Sequence, residues 1–387
     1  MPTNLPPQAL AKWEEYTKAK TPEEKLKKLE EFYALMPKHK GTEKMEKFIR
    51  RRMAELREQI EKRKSAKRGR RPSLMVEKRG AAQLVLIGFT NSGRSTVLRS
   101  LTNARVEISP NPFSTIKPVE GMMEFKGAQI QVVEAPPVVP GGVGGTTGIA
   151  MALASNADVL GLVVNALERP IDQLKELAKM LKDRGIVFGK PEGYVRIKRS
   201  KAAPAIIVTN KGRILDGTED DVKRILSSYG IRRAWVEIEG RVTLEDVEEA
   251  IFGEKKYKPF LVFVTRSDLD EKPLRLIERA LKDKAVAVLG VPLEEVDKDW
   301  LGKKILDALG LIRVFTKAVK EKKPAERAVI LPKGSTTLEL AGVIHESLKE
   351  GFRYAKIWSK RLPYSPMRVG PDFILDDCDV VEIHARG

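Results

Sequence analysis

One short segment restricts the fold of this chain more than any other: Gly88-Phe89-Thr90-Asn91-Ser92-Gly93-Arg94-Ser95-Thr96. It follows the apolar run Leu84–Ile87, which reads as a strand, and it opens the helical stretch Ser95–Leu101. A strand, a glycine-containing loop and a helix in that order form a cradle for phosphate. The glycines let the backbone turn its N–H groups toward anionic oxygens, and the helix N-terminus adds a favourable dipole. Ser95 is placed to offer its hydroxyl to Mg2+. Arg94 stands where lysine is usual and carries the same charge on a bulkier planar fork. The competing reading is a strand-to-helix turn with no ligand. The retained cation and hydroxyl favour phosphate.

The rest of the chain supplies the frame that such a loop needs. Ile130–Val133, Val159–Val164, Phe260–Val264 and Ala285–Leu289 read as buried strands, with a helix near Ile171–Leu181. This alternation predicts an α/β fold on a mostly parallel sheet. Between 190 and 257 the rhythm is interrupted by strands at Tyr194–Ile197, Ala205–Val208 and Ala234–Ile238 and helices at Glu219–Ser228 and Leu244–Ile251. That segment reads as a small α/β insert. Residues 325–387 give two short strands, a helix Leu338–Glu350, then strands around Tyr354–Trp358 and Val380–His384, the order of a β-grasp, ubiquitin-like module. Residues 8–64 read as helix throughout. Leu26, Leu29, Phe32 and Leu35 recur in one run, and Met45, Phe48, Ile49, Met53, Leu56 and Ile60 in the next. The segment Pro37–Thr42 breaks them into a helical hairpin. The expected domains are 1–80, 81–189 with 258–324, 190–257 and 325–387.

Charge separates the first of these from the others. The chain has 71 Lys/Arg against 53 Asp/Glu, a net +18, and residues 1–80 alone hold 23 against 12, a net +11. The densest run is Lys62–Arg71. Such an arm suits a polyanion, so ribosome or RNA contact through residues 1–72 is expected; a solvated helix end and linker is the alternative. The lone cysteine, Cys378, excludes an intramolecular disulfide and fits a reducing cytoplasm. His39, His345 and His384 with one cysteine cannot build a zinc cluster. The apolar runs are too short to span a bilayer, so a cytoplasmic protein with no membrane role is expected.

Gly88–Thr96, followed by Asn111-Pro112-Phe113-Ser114-Thr115-Ile116-Lys117-Pro118 and Gly121, resembles the Obg superfamily of GTPases. Within it the chain is most similar to the developmentally regulated GTP-binding protein family, in an archaeal-like form. The likeness covers nearly the whole chain: a basic helical N-terminus, a P-loop GTPase domain with an insert, and a C-terminal TGS domain. The last carries Val329-Ile330-Leu331-Pro332 and Lys356-Ile357-Trp358. The resemblance implies GTP or GDP held by Gly88, Asn91, Ser92, Gly93, Arg94, Ser95 and Thr96, with Mg2+ on Ser95 and Thr115. It also implies a monovalent cation such as K+ beside Asn91, and Thr115 and Glu134 on the side of catalysis. An ordinary loop threonine is the other reading of Thr115.

The chain departs from the family at the next motif, where Asp-x-Pro-Gly stands as Glu134-Ala135-Pro136-Pro137. Glu134 keeps a carboxylate one methylene longer. Pro137 has no N–H to donate, whereas the family glycine bonds the terminal phosphate there, so slow or impaired hydrolysis is implied. The Gly-rich segment Gly141–Gly148 offers no evident catalytic side chain.

Two segments compete for the guanine-recognition motif. Thr209-Asn210-Lys211-Gly212 follows an apolar strand, but its aspartate arrives late, at Asp216. Thr265-Arg266-Ser267-Asp268 has the aspartate at the family spacing, follows Phe260–Val264 and lies after the insert, and is preferred. The resemblance then implies Asp268 on the guanine edge, Arg266 stacked on the base, Thr265 in place of asparagine, and Gly290 offering a backbone N–H. A helix cap is the other reading of Asp268.

In the tail, Lys349, Arg353, Lys356, Lys360 and Arg361 lie among Phe352, Tyr354, Trp358 and Tyr364. This pattern suits RNA, or a strand core with a solvated charged face. Two functions follow. The first is a GTP-binding, ribosome- or RNA-associated factor of translation with slow hydrolysis, with or without a protein partner. The second is a non-enzymatic ribosome- or RNA-binding factor on a degenerate GTPase scaffold that no longer binds nucleotide.

Overall fold

The apolar runs that flank the glycine loop become the middle of a six-stranded sheet. The computed structural model describes residues 6–19, 21–37, 42, 45–46, 49–50, 52–54, 56–57, 60, 76–102, 118–142, 145–189, 192–199, 204–252, 256–291, 296–319 and 321–386. The chain divides into two units, Leu74–Lys179 with Lys258–Gly387, and Met1–Ser73 with Met180–Tyr257.

In the first unit the strand order is Ala287–Val291, Phe260–Thr265, Val159–Asn165, Ala82–Ile87, Ala128–Glu134, Val119–Phe125. All neighbours pair in parallel except the last two, which are antiparallel. Ala82–Ile87, Val159–Asn165 and Phe260–Thr265 are buried along their whole length, which is why they read as unbroken apolar runs rather than alternating ones. Parallel pairing puts their carboxyl ends on one edge. That edge carries Gly88, Glu134, Asn165 and Thr265, the place where open α/β sheets bind ligands. The strand expected at Ala285–Leu289 lies two residues later, at Ala287–Val291.

The same unit contains a five-stranded sheet in the order Val329–Pro332, Leu311–Thr316, Asp379–Ala385, Phe352–Trp358, Met367–Val369. Leu311–Thr316 pairs parallel with Asp379–Ala385 and antiparallel with Val329–Pro332, the β-grasp arrangement. Its core is Ile312, Val314, Leu331, Leu340, Ala355, Ile357 and Val381. This sheet takes its first strand from 311–316, ahead of the boundary expected at 325. The sequence hides that start: helix Lys298–Leu309 ends at Gly310, whose φ of 65° caps it, and the strand begins at the next residue. Residues 317–319 and 321–327 lie between the first two strands of the module. The helix expected at Leu338–Glu350 is two, Thr337–Ile344 and Glu346–Glu350, divided at the extended His345, whose ring nitrogen accepts from the Ser347 N–H.

Phe125 joins the two sheets. It is buried against Gly302, where a Cβ would lie 2.4 Å from its ring, and the guanidinium of Arg313 sits 5.2 Å from its centroid. Arg313 is 3% exposed and makes a two-pronged ion pair with Asp377, at 3.0 and 2.7 Å.

The second unit begins with helices Pro7–Lys18 and Pro22–Leu35. The continuous helix expected from residue 8 is thus interrupted at Thr21, whose side chain caps the second helix with Pro22 as its first residue, a start signal legible in the sequence. Ala9, Trp13, Leu29, Phe32, Ile49 and Leu56 bury into one cluster with Val222, Leu226, Val236, Ile238 and Val247 of the insert. The N-terminal helices and the insert, read from sequence as separate pieces, share a hydrophobic core. The insert's sheet runs Gly193–Arg199, Ala234–Val242, Ile206–Ile214, the first pair antiparallel and the second parallel. The basic run Lys62–Arg71 lies outside the described residues. Among those described, no helix is long and apolar enough to cross a membrane.

Candidate functional site

The glycine loop is built by close approach. A Cβ on Gly88 would fall 2.3 Å from Ser92 Oγ and 2.6 Å from the Val163 carbonyl oxygen. Gly93 has φ 90°, and a Cβ there would fall 2.6 Å from Thr265 Cγ2. Both positions therefore exclude any larger residue. Gly93 also starts helix Arg94–Leu101 without a side chain to cap it, so the first turn presents N–H groups that no side chain claims. Asn91, with φ 61°, and Thr96 are exposed, Ser95 is half-buried, and Ser92 is enclosed.

Arg94 and Glu134 are both buried beside this loop. Arg94 is 7% exposed and donates from Nη1 to the Ala135 carbonyl oxygen at 2.8 Å. Glu134, at 1% exposure, accepts from the Ser95 hydroxyl at 2.7 Å. The longer carboxylate thus reaches the serine directly. Burial pushes the Glu134 carboxyl above its ordinary range, and the Ser95 bond and the Arg94 charge only partly offset that. Burial likewise lowers the Arg94 guanidinium, with Glu134 opposing.

The segment after Glu134 lies against the loop. Ala135 N–H donates to Leu86 O and Val138 N–H to Gly88 O, both at 3.1 Å, and Val138 pairs in parallel with Phe89. Val139 N–H donates to Thr147 Oγ1 at 2.9 Å. Pro136 and Pro137 are buried between these anchors.

Thr265 fastens the neighbouring strand end to the loop: its hydroxyl donates to Ser92 O at 2.8 Å and lies 3.2 Å from Val164 O. Beyond it the chain turns through Arg266, whose φ is 56°, and exposes both Arg266 and Asp268. Ser267 points back inside, where its hydroxyl accepts from the Val291 N–H at 3.1 Å. A Cβ on Gly290 would lie 2.7 Å from that hydroxyl, so glycine at 290 makes the turn possible. The competing segment Thr209–Gly212 lies inside the strand Ile206–Ile214 of the other unit, paired through its length, not at a strand end. Thr115 lies outside the described residues.

Asn165 was not singled out from sequence. It is 0% exposed at the end of Val159–Asn165, its Oδ1 accepts from the Leu167 N–H, and its Nδ2 has no partner. An asparagine closing an otherwise apolar strand is the signal that marks it. Three further enclosed atoms lack partners at this edge: Ser92 Oγ, Arg94 Nε and Glu134 Oε2. A carboxylate oxygen beside a serine hydroxyl is a donor set that suits Mg2+. A guanidinium N–H and an uncapped helix start suit phosphate oxygens.

In the β-grasp module most of the basic side chains singled out from sequence are paired: Lys349 with Glu346, Lys356 with Glu382, Arg361 with Asp379. Tyr354 is stacked on His384 at 4.3 Å, and the guanidinium of Arg368 lies 3.7 Å from its ring centroid. Tyr364, Arg353 and Lys360 are exposed.

Comparison with known proteins agrees with this architecture. Residues 83–211 match a family described as 50S ribosome-binding GTPase, residues 203–311 the C-terminal region of that domain, and residues 312–385 the TGS domain. An uncharacterized GTP-binding protein of Methanocaldococcus jannaschii is 32% identical over 366 residues, covering 93% of this chain and 92% of that one. Human developmentally-regulated GTP-binding protein 2 is 27% identical over 362 residues, covering 93% and 98%. Among solved structures, the YchF GTPase of Schizosaccharomyces pombe aligns with a TM-score of 0.46 at 16% identity, covering 80% of this chain and 100% of that one.

Proposed function

The chain belongs to the developmentally regulated GTP-binding protein family of the Obg superfamily, and from that premise we propose that it binds guanine nucleotide on Gly88–Thr96, hydrolyses GTP slowly and acts on the ribosome or another RNA. The observation that carries nucleotide binding is the group of four enclosed, unpartnered atoms, Ser92 Oγ, Arg94 Nε, Glu134 Oε2 and Asn165 Nδ2, around one loop. Folded proteins satisfy nearly all such groups, so a cluster of exceptions speaks for a ligand. Phosphate oxygens would take the Arg94 N–H and the helix-start N–H groups. Ser95 and Glu134 would hold Mg2+, which neutralises phosphate charge when bound. Asp268 and Arg266, both exposed just past Thr265, would meet the guanine edge and face, and Gly290 leaves room for the turn that carries them. Slow turnover is supported by Pro137, which removes a donor, and by Glu134, whose carboxylate is already engaged by Ser95.

A titration with fluorescent GTP in Mg2+ and K+ tests the reading. Unlabelled GTP and GDP are expected to displace the probe and ATP to leave it bound. Arg94→Ala is expected to weaken binding by roughly tenfold or more, the effect of one charge-assisted bond. Absence of saturable binding would leave the second function, an RNA- or ribosome-binding factor without nucleotide. The Arg94 guanidinium, already donated to Ala135 O, is the observation that favours that second reading.

The RNA arm rests on the net +11 of residues 1–80. Deleting it would strip side chains from the core shared with the insert, so neutralisation is the cleaner test. Replacing the Lys and Arg residues of 62–71 by Gln is expected to lower co-sedimentation with ribosomes at low salt and to flatten its salt dependence. Unchanged co-sedimentation and salt slope would remove the arm from the interface.

A further inference from the structure

The stretch from Ala135 to Pro140 faces the phosphate loop, and its backbone donors can be counted. Pro136, Pro137 and Pro140 have none. The other three are all engaged: Ala135 N–H by Leu86 O, Val138 N–H by Gly88 O, and Val139 N–H by Thr147 Oγ1. A fourth bond, from Arg94 Nη1 to Ala135 O, ties the same stretch to the first helix turn after the loop. Residues 135–138 are buried, so the bonds at Ala135 and Val138 are shielded from competing water, while Val139 is exposed and its N–H is held by Thr147 alone. Reading a terminal phosphate from this side requires a donor that is free, or a segment that can swing to offer one. This stretch has neither.

We propose that the nucleotide site grips a nucleoside diphosphate group without sensing a third phosphate, so that GDP and GTP are held alike and the nucleotide is a fixed structural ligand. The inference rests on the nucleotide reading given above and specifies its regulation. A backbone N–H bonded to a charged phosphate contributes roughly ten- to hundredfold in affinity. Losing that donor removes the discrimination, while the contacts to the inner phosphates, made by the loop and helix start, are untouched. The clamp also removes the moving part. A segment held by Leu86, Gly88, Thr147 and Arg94 has the same bonds to lose whichever nucleotide is present, so neither nucleotide shifts its position.

Calorimetric titration of the full chain in Mg2+ with GDP, GTP and the non-hydrolysable β,γ-imido analogue of GTP tests this. Hydrogen exchange at the Val138 and Val139 amides is measured in each complex. The expected result is affinities within about fivefold of one another and equal protection of both amides. Pro137→Gly, which restores a donor, is expected to shift the ratio several-fold toward the triphosphates. A larger preference in the native chain, or protection that differs between the GDP and analogue complexes, overturns the inference and leaves nucleotide binding standing. In that case sensing belongs to another segment, such as the one containing Thr115. Failure of all three ligands to bind overturns the nucleotide reading and this inference with it.

Discussion

Alanine at Gly93 is expected to abolish measurable nucleotide binding and to lower the stability of the sheet unit by about 2–4 kcal/mol. Two penalties combine there. A side chain at φ 90° is strained wherever it stands, and this one would place its Cβ 2.6 Å from Thr265 Cγ2. Thr265 cannot retreat freely, because its hydroxyl holds the Ser92 carbonyl at 2.8 Å. Either the loop moves off the strand end or the threonine gives up its bond, and both displace the uncapped N–H groups of the helix start proposed to hold phosphate. The two penalties can be separated. Thr265→Ser deletes the methyl that is struck and keeps the hydroxyl, so in the Gly93→Ala background it should restore part of the stability. If denaturant unfolding of the double variant matches that of the single one, steric overlap is not the cause and the φ strain alone remains.

The second large effect is expected at Arg313. Its guanidinium is enclosed between Phe125 and Asp377, and Arg313→Ala would leave the half-buried Asp377 carboxylate without its partner. Breaking an ion pair of this kind costs about 3–5 kcal/mol, chiefly through the abandoned charge. Some solvent reaches Asp377, so the lower end is expected. Burial alone would raise the Asp377 carboxyl, but the bonds from Arg313 outweigh it and hold the carboxyl below its ordinary value. The sign of the pH effect follows. A depressed carboxyl contributes stability above its unfolded-state value, and that contribution is lost as pH falls through the folded value. Urea unfolding between neutral and acid pH should show a steeper acid loss for the native chain than for Arg313→Ala. Parallel pH curves would mean that the pair contributes nothing.

These two positions show what was and was not legible in the sequence. Gly93 announced itself, because a glycine loop between strand and helix has few physical explanations. The role of Thr265 did not, since its bond to Ser92 O joins residues far apart in the chain and appears only when the strands align. Arg313 looked like one basic residue among many. The β-grasp start at Leu311 is hidden for a related reason: Gly310 ends a helix and the strand follows at once. The helix break at Thr21-Pro22 is legible as a cap followed by proline, although helical apolar spacing resumes directly after it. Glu134 could be placed near Ser95 from the motif alone. That it would bond Ser95 directly, with Arg94 turned to Ala135 O, depends on side-chain reach that spacing does not encode.

The core shared by the N-terminal helices and the insert has a consequence for synthesis. Trp13, Phe32 and Leu56 leave the ribosome early, but Val222, Val236 and Val247, against which they bury, are made only after the first half of the sheet unit. At roughly 5–20 residues per second, the helices wait about 10 to 40 s for their partners. During that interval the apolar face of a strongly basic segment is uncovered beside the RNA of the machine that makes it. Expression at lower temperature, or with a holding chaperone, should therefore raise the soluble yield of this chain more than it does for a circular permutant in which the insert precedes the helices.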